Sequence, residues 1–208
     1  GNNSYGQLGT GSTTARNEPI NIPTLPPIFT LAGGSHHTVA LALDGRVWTW
    51  GRNSMGQLGD GGFNHNYIPQ QLPQLEHIIA VAAGESHTMA LSADGTLYAW
   101  GSNEQGQLGL QHVSEATEPE IVPLPKEVVH IGAGGRFSLA LDAEGTLWTW
   151  GHNAFGQLGD GTQRSRHNPE PVALNIPIVS FAAGTHHVVS IDEDGAVRTW
   201  GYNGYYQL

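Results

Sequence analysis

The chain contains no cysteine, so disulfides, thiol nucleophiles and cysteine-ligated zinc are all excluded. Basic residues are scarce: 8 Lys and Arg stand against 18 Asp and Glu, a formal net charge of -10. Such a balance repels phosphate backbones and anionic membrane surfaces, and no Lys or Arg run offsets it locally. Nucleic acid and membrane are therefore not expected partners. No apolar run approaches the roughly 18 residues that a helical membrane span requires. Helical periodicity of useful length is missing as well.

What the chain has is a repeat. Trp50-Gly51, Trp100-Gly101, Trp150-Gly151 and Trp200-Gly201 recur every 50 residues without an insertion. Gln7-Leu8, Gln57-Leu58, Gln107-Leu108, Gln157-Leu158 and Gln207-Leu208 keep the same register, as do Pro19, Pro69, Pro119 and Pro169. The 29 glycines, which would suggest disorder if scattered, fall at fixed places in the period, where they serve turns and close contacts. Fixed positions separated by varied residues define a folded unit rather than a low-complexity tract. The chain reads as one repeat domain over 1–208, with units of about 1–50, 51–100, 101–150 and 151–200 and a partial fifth motif at 201–208.

Within a period, His37-Thr-Val-Ala-Leu-Ala-Leu43 alternates as an extended chain does. Asp44-Gly45 follows and then Arg46-Val-Trp-Thr-Trp50, an arrangement that signals a hairpin because both central turn residues need positive φ. Asp94-Gly95, Glu144-Gly145 and Asp194-Gly195 repeat the turn. Ile78-Ile-Ala-Val-Ala-Ala-Gly84 supplies a strand upstream, and Glu120-Ile-Val122 a short fourth, placed at an edge by its neighbouring proline. Trp48 and Trp50 occupy one face and Val47 the other, so each sheet must be covered on both sides, and radial stacking does this. The expected fold is all-β: a β-propeller of four-stranded antiparallel blades, with small residues such as Ala82-Ala83-Gly84 nearest the axis.

The run Ala-Ala-Gly-x-x-His-Thr, Asp-Gly-x-Leu-x-x-Trp-Gly-x-Asn-x-x-Gly-Gln-Leu-Gly resembles the regulator of chromosome condensation repeat family, and the likeness covers essentially the whole chain. The resemblance implies seven-bladed-type propeller repeats, of which four are present. Because Gly1-Asn2-Asn3 corresponds to Gly51-Arg52-Asn53, the chain is expected to be a piece of a longer, bacterial-type protein. Three arrangements are open: an open arc, a closed four-bladed ring, or half of an eight-bladed ring made by two copies head to tail. The last ranks above the second, because the wedge angle of such blades is too small to close in fours. The family's light-sensing tryptophans and its nucleotide-exchange loops have no counterpart to carry over: Ser35, Glu85, Gly135 and Thr185 stand where the photoreceptor's tryptophan would follow the glycine.

Histidine is the residue that suggests chemistry. His37, His87 and His187 hold one position, yet Phe137 replaces them in the third copy, which suits a structural strand residue better than a metal ligand. Asp192-Glu193-Asp194-Gly195 lacks the spaced oxygens of a calcium loop, and Gly59-Asp-Gly-Gly62 lacks the lysine of a phosphate loop. No glycine-framed nucleophile turn is present. The reading is a non-catalytic scaffold for protein–protein interaction, with no cofactor and no metal. The alternative is an architectural unit that self-associates as a homodimer through its terminal blades. Copies differ most at the dipeptides Ser35-His36, Glu85-Ser86, Gly135-Arg136 and Thr185-His186 and in loops 60–68, 110–118 and 160–168. Phe63, Tyr67, Arg136, Arg164, Arg166 and His167 are the candidate partner-binding residues, since aromatic and arginine side chains dominate binding hot spots.

Overall fold

The computed structural model describes residues 1–111 and 113–208. Among the described residues, fifteen strands form four antiparallel sheets. The first holds β1 (Ile28–Gly33), β2 (His37–Ala42), β3 (Val47–Gly51) and β4 (Asn66–Leu72). The second holds β5 (Ile78–Ala83), β6 (His87–Ser92), β7 (Leu97–Ser102) and β8 (Glu115–Ile121). The third holds β9 (Val128–Ala133), β10 (Phe137–Asp142), β11 (Leu147–Gly151) and β12 (Arg166–Pro171). The fourth has three strands: β13 (Ile178–Ala183), β14 (His187–Asp192) and β15 (Val197–Gly201).

Each sheet is a meander in which consecutive strands pair, so the blades of the expected propeller are present. The blades run out of phase with the units read from the Trp-Gly register, each starting midway through one period and ending early in the next. The outer strands begin before the prolines rather than after them: Pro69, Pro119 and Pro169 lie inside β4, β8 and β12. All three are edge strands, where the missing amide donor faces away from the ladder. The blades do not close into a ring, and the open arc leaves Phe29 and Leu31 exposed at one end and Val197 at the other. Arg198, which replaces the Trp48, Tyr98 and Trp148 of the other blades, is exposed on this last strand and pairs with Asp192 at 2.9 Å.

Each blade boundary is closed by one repeated contact. The indole N–H groups of Trp50, Trp100, Trp150 and Trp200 donate to the carbonyls of Gln7, Gln57, Gln107 and Gln157 at 2.9, 3.0, 2.9 and 3.0 Å. Gln57, Gln107 and Gln157 belong to the loops that leave β3, β7 and β11, so the loop of one blade caps the tryptophan of the next, and Gln7 lies in the equivalent segment ahead of the first blade. Within the loop, Asn53 Oδ1 accepts from the Leu58 amide and its Nδ2 donates to Asp60 and the Gly62 carbonyl. Gly59, at φ +76°, lies so close to the indole that an added Cβ would sit 2.7 Å from Trp100 Nε1. That one position explains why the motif ends in glycine.

A second link runs deeper. Thr88 Oγ1 donates to the Gln57 carbonyl at 2.8 Å, so its oxygen must accept from His37 Nε2, which lies 3.0 Å away. Ser138 and His87 repeat the arrangement with Gln107. At the third boundary Phe137 and the buried Val188 replace the histidine and the hydroxyl together, so neither member of the pair leaves a polar group unmatched. His37 and His87 are strand residues of the blade boundary, buried, with Nδ1 left without a partner among the described residues, whereas His187 is half-buried.

Burial, the largest cause, pushes the His37 pKa down to about 3 and that of His87 to about 4. Below pH 6.5 the unfolded chain takes up protons that the folded chain refuses. Stability therefore falls as pH drops from about 6.5 towards 4, by on the order of 1 kcal/mol per pH unit for each histidine, and is unaffected above pH 7. Urea unfolding at stepped pH checks this, and the double variant H87F/S138V should flatten the slope by about one proton. The single variant S138V, which strips His87 of its acceptor, should lose about 1–3 kcal/mol that H87F restores. Gly59→Ala should destabilise by about 2 kcal/mol or more, through the positive φ and the collision with Trp100, measurable in the same unfolding assay.

Candidate functional site: the loop face

The strand order fixes two ends to the arc. Asn66 pairs with Gly51, and Gly51 with His37, so the loops after β3 and the turns between β1 and β2 share one end, while the β2–β3 hairpins form the other. The variable dipeptides and loops thus gather on a single loop face. They stand on an ordered frame: Asn3, Asn53, Asn103 and Asn153 are all buried, and each holds its loop by side-chain hydrogen bonds to the backbone.

The predicted residues fall into three groups. Phe63 and Tyr67 are exposed on the first blade, where the amide of Gly11 donates to the Tyr67 carbonyl. Arg164 and His167 are exposed on the third, two blades away, with the second blade between them. Arg166 is held within its blade: its side chain is 13% exposed, and its guanidinium donates to Thr149 Oγ1 and Glu170 at 2.8 Å and lies 3.5 Å from Asp160. Arg136 lies at the inner rim and donates to Glu85 from Nε at 2.9 Å, bridging the second and third blades. That hydrogen bond and charge hold the Glu85 carboxyl below its usual range. The second variable loop, 110–118, includes residue 112, which lies outside the described residues.

Inside this rim Gly33-Gly34-Ser35 of the first blade and the Ala-Gly-x segments of the other three surround a cavity of about 560 Å³. The Glu85 amide donates to the Gly135 carbonyl and the Gly135 amide to the Thr185 carbonyl, tying successive blades together. Gly84 is obligatory, since an added Cβ would lie 2.5 Å from the Gly134 carbonyl. The lining is backbone and small side chains, with Glu85 its one ionised group. Among the described residues no three His, Asp or Glu side chains converge to hold a metal.

Two ring clusters escaped the sequence reading. At the end of the arc, Phe155 meets His186 and Tyr202 at ring-centroid distances of 5.1 and 4.9 Å, with His152 and Tyr205 flanking. Tyr205 projects almost fully into solvent. Burial, then nearby His186 and Arg136, lower the His152 pKa, and its Nδ1 accepts from Gln157 Nε2. At the opposite end Tyr5 packs edge-on against His36 and His65, with the Arg52 guanidinium 5.2 Å above its ring. The signal was present: Tyr5, Arg52, His152, Phe155, Tyr202 and Tyr205 occupy the unspecified positions inside the motif Gly-x-Asn-x-x-Gly-Gln-Leu-Gly, while His36 and His186 belong to the variable dipeptides and His65 to the loop 60–68. Positions 52, 102, 152, 202 and 55, 105, 155, 205 vary as freely as the dipeptides do, and they converge only when the loop folds back over the next blade.

With the geometry in hand, the chain can be set beside known proteins. Human WBSCR16 is 26% identical, with a TM-score of 0.86 over 97% of this chain and 56% of the other. Prp20p from Saccharomyces cerevisiae is 29% identical, with a TM-score of 0.79 over 89% of this chain and 48% of that one. A second structure of the yeast protein, bound to Kap60, gives 29% and 0.78 over 88% and 46%. The chain thus spans about half the length of these solved relatives. Because the model of the RCC1-like domain matches residues 1–208, the whole described arc, the protein belongs to the RCC1-like domain family.

Proposed function

We propose that this chain is a non-catalytic scaffold that binds protein partners through its loop face. The observation that carries the reading is the division of labour within each motif. Buried Asn, Gln and Trp side chains fix the backbone, while the interleaved variable positions present Phe155 and Tyr205 to solvent beside the half-buried Tyr202. The variable dipeptide of the third blade presents Arg136. Rigid elements that display aromatic and arginine side chains match the make-up of binding hot spots. The Kap60 complex of yeast Prp20, and that protein's binding to Gsp1p and histones, support protein recognition as the use of the fold.

A second reading is self-association through the segment 16–22 and strand β15. Arg16–Ile22 matches the outer strand β4 by the 50-residue period yet lies outside any strand. Two copies joined head to tail as an eight-bladed ring would set this segment of one copy beside β15 of the other, covering Val197.

For the scaffold reading, cross-linked capture from the source extract should yield a discrete set of proteins. R136E/F155A/Y202A should weaken that capture about tenfold or more; undiminished capture, or none, contradicts the reading. Sedimentation over a range of concentrations should show a discrete dimer for the ring, and a strict monomer contradicts it.

A further inference from the structure

The hairpin end, opposite the loop face, has a chemistry of its own. In all four blades the pairing of the innermost strand with the second slips by one residue near the hairpin. The residue left out of register is Phe29, Ile79, Val129 or Val179, apolar every time. Such bulges re-aim side chains and concentrate at sites of function. All four residues are exposed. Open ends of the arc do not explain this, because Ile79 and Val129, in blades flanked on both sides, are each 49% exposed. Neighbouring innermost strands pack side by side, so the four residues form an apolar arc around the axis, with exposed Leu43 beside it.

Around the apolar arc the charge is of one sign. Glu76, Asp94, Glu127, Glu193 and Asp194 are exposed and make no ion pair among the described residues. The cations of this end are already engaged, Arg46 by Asp44, Lys126 by Glu144 and Arg198 by Asp192. Between the first and second blades the rim opens into a cleft of about 550 Å³ whose lining includes Glu76, His77, Asp94 and Tyr98. A lysine or arginine fits there, its stem on the Tyr98 ring and its charge at the carboxylates.

We propose that this hairpin end docks a basic, apolar polypeptide segment. Apolar side chains of the segment cover the bulge residues, and its Lys or Arg side chains enter the acidic rim, giving the apolar centre and polar border of a protein interface. Charge complementarity selects the occupant of this end: nucleic acid, acidic proteins and the equally acidic hairpin end of a second copy are repelled from it. The proposal extends protein recognition to a second surface and does not depend on the loop face.

The test is a titration of the isotope-labelled chain, followed by methyl NMR, with a peptide of about 14 residues alternating Leu and Lys. Peptides alternating Leu and Glu, or of Lys alone, serve as controls. The Leu-Lys peptide should shift the methyls of Ile79, Val129 and Val179. Both I79S/V129S and E76Q/D94N/E127Q should weaken its binding about tenfold, and added salt should weaken it further. R136E/F155A/Y202A should bind the peptide as the parent does, which separates this surface from the loop face. The altered side chains are exposed, and if the serine pair nonetheless fails to fold, the charge-neutralised variant decides alone. No binding at millimolar peptide, equal binding of the Leu-Glu peptide, unchanged affinity in the folded variants, or shifts confined to the loop face would each overturn the proposal.

Discussion

The indole N–H of one blade, bonded to a glutamine carbonyl in the loop of its neighbour, is the contact on which the rest of the molecule depends. A sheet with apolar side chains on both faces is not stable alone, because one face always meets water. Tryptophan resolves this by burying a large ring between blades while directing its one polar atom to a partner across the boundary. The carbonyl is available because Asn53 and its equivalents hold the loop in a shape with several positive-φ glycines. Loop, glycine, asparagine and tryptophan thus form one device, repeated at each boundary.

That device gives rise to two surfaces with different properties. On the loop face the device fixes every second or third residue and leaves those between free to differ, so aromatic rings and Arg136 vary on a constant backbone. On the hairpin end the turns are short, and what varies is charge, whereas an apolar residue at the bulge is constant. The arc thus turns two chemically distinct faces outward, and it is on these faces that the proposed partner binding rests.

Much of the fold was legible because its determinants are local and periodic. Asp44-Gly45 and its equivalents marked the hairpins, but the turn differs from the expected one. Only the glycine takes positive φ, because Gly45 donates to the Ala42 carbonyl and closes a turn over 42–45 in which Asp44 keeps an ordinary φ. Alternation gave the strands, and Ala82-Ala83-Gly84 gave the strand nearest the axis, where Gly84 does approach the next backbone. The phase of the blades was not legible. A repeat can be cut anywhere in sequence, and only pairing shows that β4 belongs with β1 to β3 rather than with β5. Candidate residues were harder still. Arg166 has the composition of a hot spot but is clasped by Asp160, Glu170 and Thr149, contacts made across a loop and a neighbouring strand. Phe155 is far along the chain from His186 and Tyr202, in a different repeat from Tyr202, and meets them only because the loop crosses the blade boundary. The substitution of Phe137 together with Val188 was half visible: the loss of histidine could be read, its partner could not.

Hydrogen exchange of the individual indole N–H groups, read by NMR, tests the central claim most directly. If the glutamine carbonyls lock successive blades into one cooperative arc, Trp100 and Trp150 exchange only through global unfolding, both with the free energy obtained from urea denaturation. Exchange of these two indoles at rates near those of a free peptide, or with unrelated free energies, would show that the blades are not joined through this contact.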